Sequence, residues 1–107
     1  MSLDNTGLPV QVISAIRQIL EQFPAVEQAI LYGSRAKGSH RPGSDIDLTL
    51  KGDRLSHQDL LDIELALDDL LLPWKIDLSL HQHLDNPALL EHIARVGKTF
   101  YTRTDSH

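Results

Sequence analysis

The sequence predicts an α+β fold of packed α/β layers: a small mixed β-sheet carrying helices, in the order α-β-loop-β-α-β-α. Three observations lead there. Apolar residues recur at helical spacing in three stretches, they alternate with polar ones in two short runs, and Gly or Pro punctuates the joins. At 107 residues with 41% hydrophobic content, the chain fits one domain spanning residues 1–107, with a small core.

Residues 1–8 mix polar and flexible types and are expected to fray. From Pro9, the positions Val12, Ile13, Ile16, Ile19, Leu20 and Phe23 follow three- and four-residue steps, which predicts a helix closed by Pro24. "AILY", residues 29–32, is a short apolar run ending at Gly33 and reads as a buried strand. A loop punctuated by Gly38, Pro42 and Gly43 follows. In "SDIDLTLK", Ile46, Leu48 and Leu50 point one way while Asp45, Asp47 and Thr49 point the other, the period of a second strand. Ser56 with Asp59 three residues on forms an approximate capping box. Leu60, Ile63, Leu67, Leu70 and Leu71 then give a helical face stopped by Pro73. "WKIDLSLH" repeats the strand alternation, with Lys75, Asp77 and Ser79 on its polar side. Asn86 and Pro87 start a last helix near residues 87–97, and residues 102–107 are expected to be loose.

Composition narrows the class of partner. There are no cysteines, so no disulfide framework or thiolate metal site is available, and a cytoplasmic protein is the expectation. No basic-then-apolar leader and no membrane-length apolar run is visible, so no membrane association is expected. The formal charge of −5 argues against binding a nucleic-acid polymer through its backbone. Self-association is left open.

The chemistry concentrates in residues 33–47 and at Asp77. Thirty positions separate Asp47 from Asp77, and the intervening helix is long enough to return the chain to a neighbouring strand. Asp45, Asp47 and Asp77 would then gather on one sheet face, where like charges repel unless a cation neutralises them. Oxygen-only ligands suit magnesium or manganese, and magnesium completes its shell with water and phosphate oxygens. Gly33 and Ser34 stand where a phosphate binder is needed: the glycine lets backbone amides approach an anion, and the serine adds a hydroxyl. Arg35 and Lys37 add charge for terminal phosphates. His81 and His83 lack a third ligand at metal spacing and read as exposed residues at a strand end. His40 reads as a solvated loop residue, Trp74 as a core or edge plug, and the acids of the second long helix as a solvated face able to meet a basic protein.

"GSRAKGSHRPGSDIDL", residues 33–48, resembles the signature of the nucleotidyltransferase superfamily that includes DNA polymerase beta, and most closely that of minimal nucleotidyltransferase (MNT) proteins. The resemblance covers roughly residues 10 to 100 and implies a nucleotidyltransferase fold. It implies that Gly33 and Ser34 hold a nucleoside triphosphate and that Asp45 and Asp47 ligate two magnesium ions. Asp77 would help hold the metal that activates the incoming hydroxyl, and Arg35 and Lys37 would offset leaving-phosphate charge. MNT proteins pair with HEPN-domain toxins, so the resemblance further implies an antitoxin that transfers AMP from ATP to a tyrosine of a HEPN partner. Two alternatives accompany it: a nucleotide-binding antitoxin that neutralises by complex formation alone, and an enzyme acting on a small-molecule alcohol.

Overall fold

The computed structural model describes residues 3–103 and contains four strands and four helices, with two single 3-10 turns. Helix α1, Val10–Glu21, buries Ile13, Ile16, Ile19 and Leu20. Strand β1, Gln28–Tyr32, runs antiparallel to β2, Ile46–Lys51, with Leu31 opposite Leu48 and Tyr32 opposite Asp47. Helix α3, His57–Asp68, starts at Ser56, whose hydroxyl accepts from the Asp59 amide while the Asp59 carboxylate accepts from the Ser56 amide. It carries the chain across to β3, Ile76–Leu80, which lies parallel to β2. Helix α4, Pro87–Val96, is capped by the Asn86 side chain, which accepts from the amides of Ala88 and Leu89.

Strand alternation sorts the sheet into two faces. Ala29, Leu31, Ile46, Leu48, Leu50, Leu78 and Leu80 join Ile13, Ile16, Ile19 and Leu20 of α1 and Ile63 and Leu67 of α3 in one core. The opposite face carries Ile30, Tyr32, Asp47, Thr49 and Asp77, and α4 covers its β1 side with Ile93. Asp77 lies two strands from β1, the strand that α4 packs against.

Four parts differ from the sequence expectation. The second long helix, expected to carry Leu70 and Leu71 on its apolar face as far as about Leu72, ends at Asp68, and Leu71 stands exposed beyond it because its positive φ breaks the helical path. A fourth strand, β4 (Lys98–Thr102), pairs antiparallel with the free side of β1, giving the order β3-β2-β1-β4. Its neighbours Phe100 and Tyr101 are both buried and its register breaks between Ala29 and Ile30, so the period-two signal is lost. The loop after β1 opens with a single helical turn, α2 (Ser34–Lys37), ended by Gly38 in the left-handed conformation. Part of the chain start is packed: Leu3, Thr6 and Leu8 are buried, and the Thr6 hydroxyl donates to the Leu3 carbonyl at 2.7 Å. Residues 1, 2 and 104–107 of the expected loose ends lie outside the described residues. At the other end, Arg103 Nη2 donates to the carbonyls of Leu20, Glu21 and Phe23, capping the open end of α1.

Candidate active site

Parallel pairing in register sets Asp47 directly beside Asp77 on adjacent strands. Neighbouring strands are roughly 5 Å apart, so the two carboxylates face the same small volume. Asp45 stands just before β2 and is exposed, Asp47 is half-buried, and Asp77 is exposed on the outermost strand. Burial pushes the Asp47 carboxyl above its ordinary value, and the charges of Asp77 and Asp45 push it further. Burial also raises the Tyr32 phenol, which faces both Asp47 and Asp77.

The turn that follows β1 is built around Gly33. Its φ of 77° and ψ of −157° fall in a region that only glycine enters readily. A Cβ there would also drive into Asp47 Oδ2. The backbone therefore runs against the acid pair as closely as it can, and α2 begins at the next residue. Its first amides, those of Ser34, Arg35 and Ala36, precede the first intrahelical bond, in which the Lys37 amide donates to the Gly33 carbonyl at 3.1 Å. The Gly33 amide donates to His92 Nε2 at 3.1 Å, while the His92 ring meets Tyr32 edge-on at 6.3 Å.

Arg35 corrects the sequence reading. It is only 1% exposed, and its donors are taken up by backbone carbonyls. Nε donates to the Ser44 carbonyl at 3.1 Å, Nη1 to Thr6 at 2.7 Å and Nη2 to Pro42 at 3.2 Å. The guanidinium lies 5.5 Å from the ring centroid of Trp74, whose indole N–H also donates to the Pro42 carbonyl at 2.8 Å. Arg35 is thus the post that ties the chain start, the 38–45 loop and Trp74 together, and the planar five-donor fork explains why a single side chain can do so. Lys37 is exposed in the same turn. His40 sits with this loop rather than with the acids, its ring against Gly7. His81 and His83 lie in a 3-10 turn after β3, and burial and Lys51 hold the His81 imidazole below its ordinary pKa.

Among the described residues no three His, Cys, Asp or Glu side chains already converge on a metal-sized point. The expected carboxylate set is therefore not preassembled, because Asp45 precedes the paired part of β2. The residues nevertheless fit magnesium, which is commonly held by one or two carboxylates with water and substrate phosphates completing the shell. The register that sets Asp47 beside Asp77 is the observation behind that fit, since adjacent acids with no compensating cation resist joint ionisation. His92 was not foreseen. Its only trace in the sequence is its place one turn from Leu89 and Val96 on the inner face of α4, which says nothing about which strand end it reaches.

Fold and site together define a small α+β domain with an acid pair beside a glycine turn at one sheet end. The family model described as "Polymerase beta, Nucleotidyltransferase" matches residues 14–106, and the chain belongs to that nucleotidyltransferase family. No curated protein matches the chain in sequence. Its fold is shared with a chain of a toxin-antitoxin complex solved with AMP-PNP: TM-score 0.68, 20% identity, covering 86% of this chain and 74% of that one. A chain of the MntA-HepT toxin-antitoxin structure matches with TM-score 0.64 and 18% identity over 89% of this chain and 74% of that one. A third match, with TM-score 0.64 and 18% identity, covers 87% of this chain and 71% of the other; it comes from the complex of tri-AMPylated Shewanella oneidensis HEPN toxin with MNT antitoxin. No helix among the described residues is long and apolar enough to cross a membrane.

Proposed function

We propose that this chain is a magnesium-dependent nucleotidyltransferase acting as an MNT-type antitoxin, which transfers AMP from ATP to a tyrosine hydroxyl of a HEPN-type partner. The observation that carries the reading is the register of Asp47 with Asp77 immediately beside the Gly33 turn. Solved relatives in fold include a complex holding AMP-PNP and one whose toxin is tri-AMPylated, which is the outcome such a transfer leaves behind.

In the proposed reaction the acceptor oxygen attacks the α-phosphorus, the bond to pyrophosphate breaks, and the hydroxyl proton is lost to a carboxylate or to water. Asp45, Asp47 and Asp77 would hold magnesium, which would supply positive charge against the phosphates. In this reading the Gly33 turn would admit the triphosphate close to the backbone, and Ser34 at the start of α2 would donate to its oxygens; the glycine's φ of 77°, which leaves no room for a Cβ beside Asp47, supports it. Lys37, exposed in the same turn, is free to reach the departing pyrophosphate. Asp77 stands exposed on the edge strand, so an arriving hydroxyl meets it before the deeper Asp47.

Mass spectrometry of the partner, recovered after incubation with the chain, ATP and magnesium, tests the proposal. An AMP adduct on tyrosine that disappears with Asp47→Asn supports it. Neutralisation of the partner by Asp47→Asn as fully as by the native chain, with no adduct in either case, would identify a binding antitoxin instead.

A further inference from the structure

The second long helix leaves part of its apolar surface in water. On α3, Leu65 is 66% exposed and Leu61 is 40% exposed, and just past its end Leu71 is 87% exposed. Between this surface and the β3 edge runs a groove in two adjoining parts of about 480 and 360 Å³, joined at Leu67, Asp68 and Ile76. Along it Gln58, Leu61, Leu65 and Asp68 follow a three-four-three spacing, the seam that one helix offers to another.

Leu71 is a second, independent sign. It has a φ of 54°, and it is the one non-glycine residue with positive φ among those described. Its amide closes the helix end on the Asp68 carbonyl at 3.0 Å, a place normally taken by glycine. A leucine held in the left-handed region and directed into solvent costs the isolated chain stability and gives it no burial.

Charge selects the occupant. Helix α3 contains Asp59, Asp62, Glu64 and Asp68 with no Lys or Arg, and Asp69 follows; the groove's one basic lining residue is Lys75, at its far end. A second copy of this chain would set acid against acid there. A helix with a leucine-like stripe flanked by arginine or lysine would meet opposite charge on an apolar seam.

We infer that the α3–β3 groove is the docking site for a basic-flanked amphipathic helix of the protein acceptor. This rests on the proposed transfer to a protein hydroxyl, and it explains how the acceptor is brought in. Ile76 and Leu78 line the groove on one side of the edge strand, and Asp77, between them, faces the other. A partner seated along β3 has only one strand to reach around before its hydroxyl stands at the acid pair.

The test uses two fluorescent helical peptides of about 18 residues, with the same leucine stripe and either arginine or glutamate flanks, titrated into the intact chain. The arginine peptide is expected to bind at least about tenfold tighter than the glutamate control, and Leu65→Ser and Leu71→Gly each to weaken it by about tenfold. Leu71→Gly should not lower the thermal midpoint, which separates docking from folding. Asp47→Asn should bind the arginine peptide as the native chain does, so a failed transfer assay leaves this outcome standing. Equal affinity for both peptides, no binding of either, or indifference to both leucine variants overturns the inference. So does a dimer in sedimentation equilibrium that Leu65→Ser dissolves, which would make a second copy the occupant.

Discussion

Replacing Arg35 with alanine should damage the fold first and nucleotide binding only through it. The guanidinium makes three hydrogen bonds to carbonyls, of Thr6, Pro42 and Ser44, and lies against Trp74 while nearly fully buried. Hydrogen bonds from a charged donor contribute about 1.5–3 kcal/mol each, and a desolvated cation–π contact about 2 kcal/mol. These contributions are not additive, because the loop relaxes and water reaches some of the freed carbonyls, so a loss of about 3–5 kcal/mol is expected. That is a large share of the roughly 5–15 kcal/mol that holds a domain of this kind together. Arg35→Lys keeps the charge but cannot fork to three carbonyls, and should lose about half as much. Urea unfolding followed by circular dichroism measures the loss, and the fluorescence of the single tryptophan, Trp74, reports the same loop. If Arg35→Ala unfolds at the native urea concentration while its affinity for an ATP analogue falls about tenfold or more, Arg35 is a phosphate ligand and the structural assignment is wrong.

Gly33→Ala meets two obstacles at once, a left-handed φ and a Cβ aimed at Asp47 Oδ2, so it should cost about 1–3 kcal/mol in urea unfolding and abolish calorimetric binding of AMP-PNP. His92→Leu removes the acceptor of the Gly33 amide and should weaken AMP-PNP binding by about 5- to 30-fold, whereas His92→Gln, which keeps an acceptor, should recover most of it; equal behaviour of the two would deny the hydrogen bond its role. For Asp47 the sign follows from its direction of shift. A carboxyl whose folded pKa lies above the ordinary 3.8 favours the fold below that pH and loses this contribution as pH rises through the raised value. Ionised Asp47 therefore works against the metal-free fold at neutral pH. In thermal melts with chelator, Asp47→Asn should be the more stable chain at pH 7 and should lose that advantage toward pH 4, while added magnesium should stabilise only the native chain; a less stable Asp47→Asn at pH 7 would contradict the electrostatics.

The acid pair was legible because two simple periods fix it. Strand alternation put Asp47 and Asp77 on polar faces, and a helix long enough to serve as a crossover allowed neighbouring strands; the parallel register set the two acids side by side. The caps at Ser56 and Asn86 were legible for the same reason, being local side chain-to-backbone chemistry. What was not legible depends on contacts distant in sequence. Strand β4 hides because both Phe100 and Tyr101 are buried, so no alternation marks it. Arg35 reads as a phosphate contact when only its neighbours Ser34 and Lys37 are considered, and its true partners at Thr6, Pro42 and Ser44 come together only in the folded loop. His92 reaches Gly33 across 59 positions of sequence, a pairing no local pattern encodes.

The proposed activity of the Asp47–Asp77 site is transfer of a nucleotidyl group to a protein hydroxyl. Parallel incubations of the chain and its partner with magnesium and ATP labelled at either the α- or the γ-phosphate test it directly. Label from the α-position alone should become fixed to the partner, and Asp47→Asn and Asp77→Asn should abolish it. Label arriving from the γ-position, or α-label transfer undiminished in both variants, would contradict it.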